Sequence, residues 1–206
     1  MDSHTIGINR PSRSASQLIL LGCGIAGSLF FNCTYLILAA LHPGFSSLKQ
    51  TISDLELVHH GWMQSANFII FGGFNFLFAA GLRNELKNGF GSAVIPGFQV
   101  MVGIGLVFCG IFIHDPFHTI ATLVSFISGV ILFFLFARRF YGLKKWKGWI
   151  AYSISSAVLM MIMLAQFGNA MHHGGDAGLF ERLSVLIRST WTILFVVRIF
   201  RGLSLS

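Results

Sequence analysis

Charge is what this sequence has least of. Only 10% of its 206 residues are charged, against 54% that are hydrophobic, and that balance excludes an ordinary soluble domain. The uncharged stretches are concentrated. Six apolar runs, about 17–41, 62–82, 94–113, 117–137, 148–168 and 183–200, reach the roughly 18 residues that mark a membrane-crossing helix. They use most of the chain, so no separate soluble domain remains. Cysteine is scarce too: Cys23, Cys33 and Cys109 sit inside apolar runs without paired spacing, which excludes a disulfide framework or a zinc knuckle. There is no HExxH, no GxSxG and no phosphate loop. Any chemistry therefore lies between the helices or at their ends. The net charge of +7 does not indicate nucleic-acid binding, because the basic residues sit at span ends and form no soluble surface for a duplex.

What is present predicts an all-α, polytopic membrane protein: a six-transmembrane-helix bundle at residues 17–201, one domain, preceded by a disordered cytoplasmic tail at 1–16. The face with the N-terminus, loops 2–3 and 4–5 and the C-terminus carries Arg10, Arg13, Arg83, Lys87, Arg138, Arg139, Lys144, Lys145, Lys147, Arg198 and Arg201. The other face carries Lys49 and Arg182, and Arg188 lies within helix six. Basic residues collect on the cytoplasmic side, so both termini are expected there, in a multi-pass protein of the cell membrane.

Local signals refine this picture. In His114-Asp115-Pro116-Phe117-His118, proline suits the first helical position, so Asp115 is expected to cap helix four. His118 then falls in the first turn, where the helix dipole favours a neutral ring. Ser53-Asp54-Leu55-Glu56 reads as a capping box, starting helix two near Asp54 and bringing it into the membrane at Trp62. Gln64, Asn67 and Asn75 are expected to face other helices, because amides in hydrocarbon need partners. Gly22 with Ala26 and Gly24 with Ser28 give helix one a small-residue face for close packing. Helix five should end around Gln166–Asn169, leaving His172 and His173 in a flexible loop.

This topology places seven of the eight histidines and five of the seven acids on the extracytoplasmic side. Interfacial tolerance of histidine accounts for part of that asymmetry. The functional alternative is one site assembled from three loops. His114, His118, His172 and His173 are its candidate ligands for a divalent metal such as zinc. Asp54 or Asp115 is the candidate base, and Ser53 a candidate nucleophile, although capping explains Ser53 equally well and is the simpler reading of Asp115. Arg188, about 10 Å into helix six from Glu181 at 1.5 Å per residue, either snorkels towards Glu181 or anchors an anionic group. Asn67 and Trp62 join Arg188 as candidate substrate-binding residues.

Taken together, Pro43-Gly44-Phe45, Ile52-Ser53-Asp54-Leu55, Trp62, Asn67, His114, His118, Gly178-Leu179-x-Glu181-Arg182, Arg188 and Trp191 resemble domain-of-unknown-function family 998. This is a family of small bacterial and archaeal membrane proteins, and the resemblance runs over roughly residues 17–200. Glu56 departs from the pattern, which has a small residue after Ser-Asp-Leu. The resemblance implies the six-helix fold and the candidate positions, and it assigns no reaction.

Three functions fit. One is a metal- or acid/base-assisted hydrolase or transferase acting on a lipid-like substrate, in a bundle rich in phenylalanine, 22 of the 206 residues. Another is a small-molecule carrier, supported by Gln64, Asn67, Asn75, Gln166, Asn169 and Arg188, though no acid lies near the midplane. The third is a non-enzymatic membrane subunit or sensor. The expected partners are membrane lipid and a lipid-like or hydrophobic small molecule, without nucleic acid.

Overall fold

The computed structural model describes residues 13–113, 115–203 and 205. These residues form six long helices: α1 (Ala15–Leu41), α2 (Trp62–Glu85), α3 (Val94–Ile111), α4 (Pro116–Phe140), α5 (Lys147–His173) and α6 (Ala177–Phe200). Short 3-10 turns stand at Ser53–Glu56 and Lys144–Trp146, and there is no strand among the described residues. All six helices are long and apolar enough to cross a membrane. Each packs on its neighbours in the chain and α6 closes against α1, so the bundle is a ring.

The helix ends follow from local chemistry, in places differently from the expectation. Asp115 caps α4 as its sequence predicts, its Oδ1 accepting from the Phe117 amide at 2.9 Å with Pro116 in the first turn. Helix α2 starts at Trp62 rather than near Asp54, because residues 53–56 make one 3-10 turn only. The box that caps this turn is displaced by two residues. Thr51 Oγ1 accepts from the Asp54 amide at 3.1 Å, and Asp54 Oδ2 accepts from the Thr51 amide at 2.6 Å. Helix α5 runs on to His173, so His172 and His173 are helical and not in a loop. At the other end Arg13 holds Glu85 through two hydrogen bonds, 2.8 and 2.7 Å, and Ser14 caps α1, so the anchored chain begins before residue 17.

Between lipid-facing helices there is no water-driven gain on association, so packing and hydrogen bonds decide the interfaces. On α1 the packed small residues are Gly24, Gly27 and Ser28, while Ala26 is exposed. The rings of Phe78 and Phe74 lie against Gly24 and Gly27.

The two ends of the ring are packed differently. At the end carrying the α2–α3 and α4–α5 loops, Phe136, Phe140, Trp146, Trp191 and Phe195 fill the interior and are at most 3% exposed. Trp146 stacks on Phe140 with centroids 4.6 Å apart, and Trp191 stacks on Phe195 at 5.0 Å. Trp191 Nε1 donates to Ser153 Oγ at 3.1 Å, so the buried indole is satisfied. The opposite end is covered by the segment 42–61, and beneath it lies a cavity.

Candidate functional site

The covering segment is fastened to two helices. At α6, the Gly178 and Leu179 amides donate to Lys49 O and Leu48 O at 3.2 and 2.9 Å. Arg182 Nη1 donates to the carbonyls of Ser47, Gln50 and Gly178 at 2.7–2.9 Å. Glu181 Oε2 accepts from the Ile52 amide. These bonds satisfy first-turn amides of α6 and carbonyls of the loop that would otherwise be orphaned. At α2, Glu56 Oε1 accepts from Ser65 Oγ at 2.9 Å. Gly178 and Gly61 admit this docking: a Cβ on Gly178 would lie 2.0 Å from Gln50 O, and one on Gly61 would lie 2.0 Å from Glu56 O.

The cavity below has a volume of about 50 Å³, room for roughly four waters. Each of the six helices contributes to its wall: Phe31, Phe68, Leu106, Phe126, Met160 and Arg188 are examples, in chain order. It therefore lies on the axis of the ring. Ile52 of the covering segment also borders it, and its polar lining includes His118, Ser125, Glu181 and Ser189.

Arg188 is eleven residues past Ala177, roughly 16 Å along the helix and near its midpoint. Two smaller cavities meet at the same side chain. Its Nη2 donates to Asn75 Oδ1 at 2.9 Å, and Asn75 Oδ1 also accepts from Gln99 Nε2. Arg188 forms no ion pair among the described residues, and this hydrogen bond is the single one it makes there. The pairing with Glu181 considered from sequence does not form; Glu181 turns to the Ile52 amide instead.

His118 sits where α3 ends and α4 begins. Its Nδ1 is 3.1 Å from both Cys109 O and Phe112 O, so Nδ1 carries the proton and ties down the C-terminal carbonyls of α3. Glu56 Oε2 is 3.8 Å from the same nitrogen. Glu56 is 7% exposed, and burial pushes its carboxyl up to about 7 from its ordinary value near 4.5. The hydrogen bond from Ser65 opposes this shift, and nearby Glu181 adds to it.

The other candidates scatter. His172 and His173 are exposed at the end of α5, and His114 lies outside the described residues. Among the described residues no three His, Cys, Asp or Glu side chains converge as a metal site. Asp54 and Ser53 belong to the capping of the 3-10 turn, Ser53 Oγ lying 3.1 Å from Thr51 Oγ1. Asp115 is exposed at its cap. Trp62 is 65% exposed and directed outward. Asn67 is buried, donating to Phe31 O and Gln64 Oε1, both at 3.2 Å, which makes it a strut between α1 and α2. Sequence reasoning passed over Glu56 and the cavity role of Glu181. The one signal was Glu56 between Leu55 and Leu57, which says that a buried carboxyl needs a partner without saying which.

A family model described as "Protein of unknown function (DUF998)" matches residues 25–198, nearly the whole helical region. No curated protein and no solved structure matches the chain at a significant level.

Proposed function

We propose that this chain, which belongs to the DUF998 family, is a membrane protein that binds an anionic, lipid-like ligand inside its helix ring. The observation that carries this reading is Arg188. A guanidinium at the midpoint of an apolar helix is costly to bury and requires a counter-charge. Here it borders the cavity with one hydrogen bond to a neutral amide and no carboxylate partner among the described residues. A ligand anion supplies the missing charge, and Phe31, Phe68, Leu106, Phe126 and Met160 supply apolar walls. We place both termini in the cytoplasm on the distribution of Lys and Arg, so the cavity opens in the outer half of the cell membrane. The solid aromatic packing at the opposite end favours a pocket entered from one side over a path through the bundle.

The test is thermal unfolding of the purified protein with dodecanoate, dodecyl phosphate, dodecanol and dodecylamine. The two anions should raise Tm in the wild type and leave Arg188→Gln unmoved. Equal stabilisation by dodecanol, or an undiminished response in Arg188→Gln, would overturn the reading.

A second reading adds acid/base chemistry on a lipid-like substrate. It is favoured by Glu56 lying 3.8 Å from His118 with a carboxyl near 7, able to exchange a proton at neutral pH, and by Glu181 on the cavity wall. In that case hydrolysis of a bound ester should depend on pH around 7, and Glu56→Gln should remove the dependence. Turnover unaffected by Glu56→Gln would dismiss it.

A further inference from the structure

The geometry points to a carboxylate as the group bound at Arg188: a short monocarboxylic acid, or the head of a longer acyl chain. This inference rests on the anion reading of Arg188 given above and narrows it to one chemistry. Three observations select the carboxylate. The first is the number and arrangement of donors. Arg188 commits Nη2 to Asn75, while Nε and Nη1 make no hydrogen bond among the described residues. Ser189 Oγ already accepts from Asn32 Nδ2 at 2.9 Å, which leaves its own proton to donate. Ser125 Oγ makes no hydrogen bond among the described residues, and both serines border the same cavity as Arg188. A planar guanidinium sharing its cavity with two hydroxyl donors matches a planar two-oxygen acceptor.

The second is charge. Among the described residues Arg188 is the one arginine or lysine on the cavity wall, and Glu181 lies on the same wall. A phosphate monoester brings about −1.5 to −2 at neutral pH, and one guanidinium leaves part of that charge uncompensated in a low-dielectric site. A carboxylate brings a single charge. The third is space. A phosphodiester has one charge but would place a tetrahedral centre with two ester arms in a cavity of about 50 Å³, where a carboxylate places a planar head with one.

Calorimetric titration of the full chain in detergent tests the assignment. The probes are acetate, butyrate, octanoate and dodecanoate, with methyl phosphate, octyl phosphate and octanol as comparisons. Octanoate should bind at least about tenfold more tightly than octyl phosphate, and octanol should not compete. Arg188→Lys keeps the charge but loses the fork, so carboxylate affinity should fall about tenfold, and Arg188→Gln should abolish it. Ser125→Ala and Ser189→Ala should each weaken carboxylate binding severalfold while leaving the protein folded. Butyrate binding as tightly as dodecanoate would identify a free small acid; affinity rising along the whole series would identify an acyl chain. Octyl phosphate binding more tightly than octanoate would overturn the carboxylate assignment while sparing the anion reading. Absence of binding by every anion, in a wild type that unfolds cooperatively, would overturn both.

Discussion

One end of the ring is filled and the other is hollow. In the aromatic half, Phe140, Trp146 and Phe195 are essentially inaccessible, Phe140 stacking on Trp146 with Phe195 tilted against both, and the Trp191 N–H is satisfied by Ser153 Oγ. In the cavity half, the same six helices enclose a space bordered by Arg188, Glu181 and His118. Lipid gives no hydrophobic reward for bringing helices together, so the aromatic half is held by dispersion and ring packing. The hollow half is held by a loop hydrogen-bonded to α6 and α2. Rings pack one end while the other stays open around a charge; that contrast separates the part that builds from the part we propose to bind.

Substitutions can break or sharpen the contrast. The largest effect belongs to the filled half: Phe195→Ala should destabilise by about 3–5 kcal/mol, because its neighbours cannot collapse into the void. Phe126→Ala, which only enlarges an existing cavity, should cost about half as much. Equal losses in thermal or denaturant unfolding would erase the distinction between the halves.

Next comes Glu56. Its carboxyl is raised in the folded protein, from near 4.5 to about 7, so the stability it contributes is present below 4.5 and is lost as pH rises through 7. A shift of that size corresponds to roughly 3 kcal/mol at most. Glu56→Gln retains an acceptor for Ser65 and should flatten the fall in stability between pH 5 and 8. An identical pH profile in Glu56→Gln would remove the buried acid from the account of the loop.

Smaller still, Asp115→Ala should cost about 1 kcal/mol as a lost cap, with ligand response intact. At the low end, Arg188→Met and Asp54→Asn should be additive within about 0.5 kcal/mol, since Asp54 caps the 3-10 turn and Arg188 bonds Asn75. Coupling beyond that would return Asp54 to the site.

The hollow half was also the harder one to read from sequence. The six spans and the Asp115 cap were legible because hydropathy and proline geometry act locally. The importance of Arg188 was legible for a similar reason, since a charge inside an apolar run stands out against its surroundings. Its partner was not: Asn75 is 113 residues away and meets Arg188 only once the ring closes. The histidines misled because a shared face is not a shared point. His172 and His173 remain exposed on α5, while His118 turns back to the carbonyls of Cys109 and Phe112. Glu56 and Glu181 were hidden for the converse reason, because the loop that buries them docks through backbone carbonyls and glycines, which carry no side-chain pattern.

The central claim is that the described residues offer Arg188 no counter-charge, and the stability of Arg188→Met in buffer free of carboxylates and other ligand anions tests it most directly. Replacing an unpaired buried cation with an apolar side chain of similar length should raise stability by about 1–4 kcal/mol, and added octanoate should then stabilise the wild type but not the variant. A loss of stability in Arg188→Met under the same anion-free conditions would mean that the bundle already supplies the opposing charge, contradicting the claim.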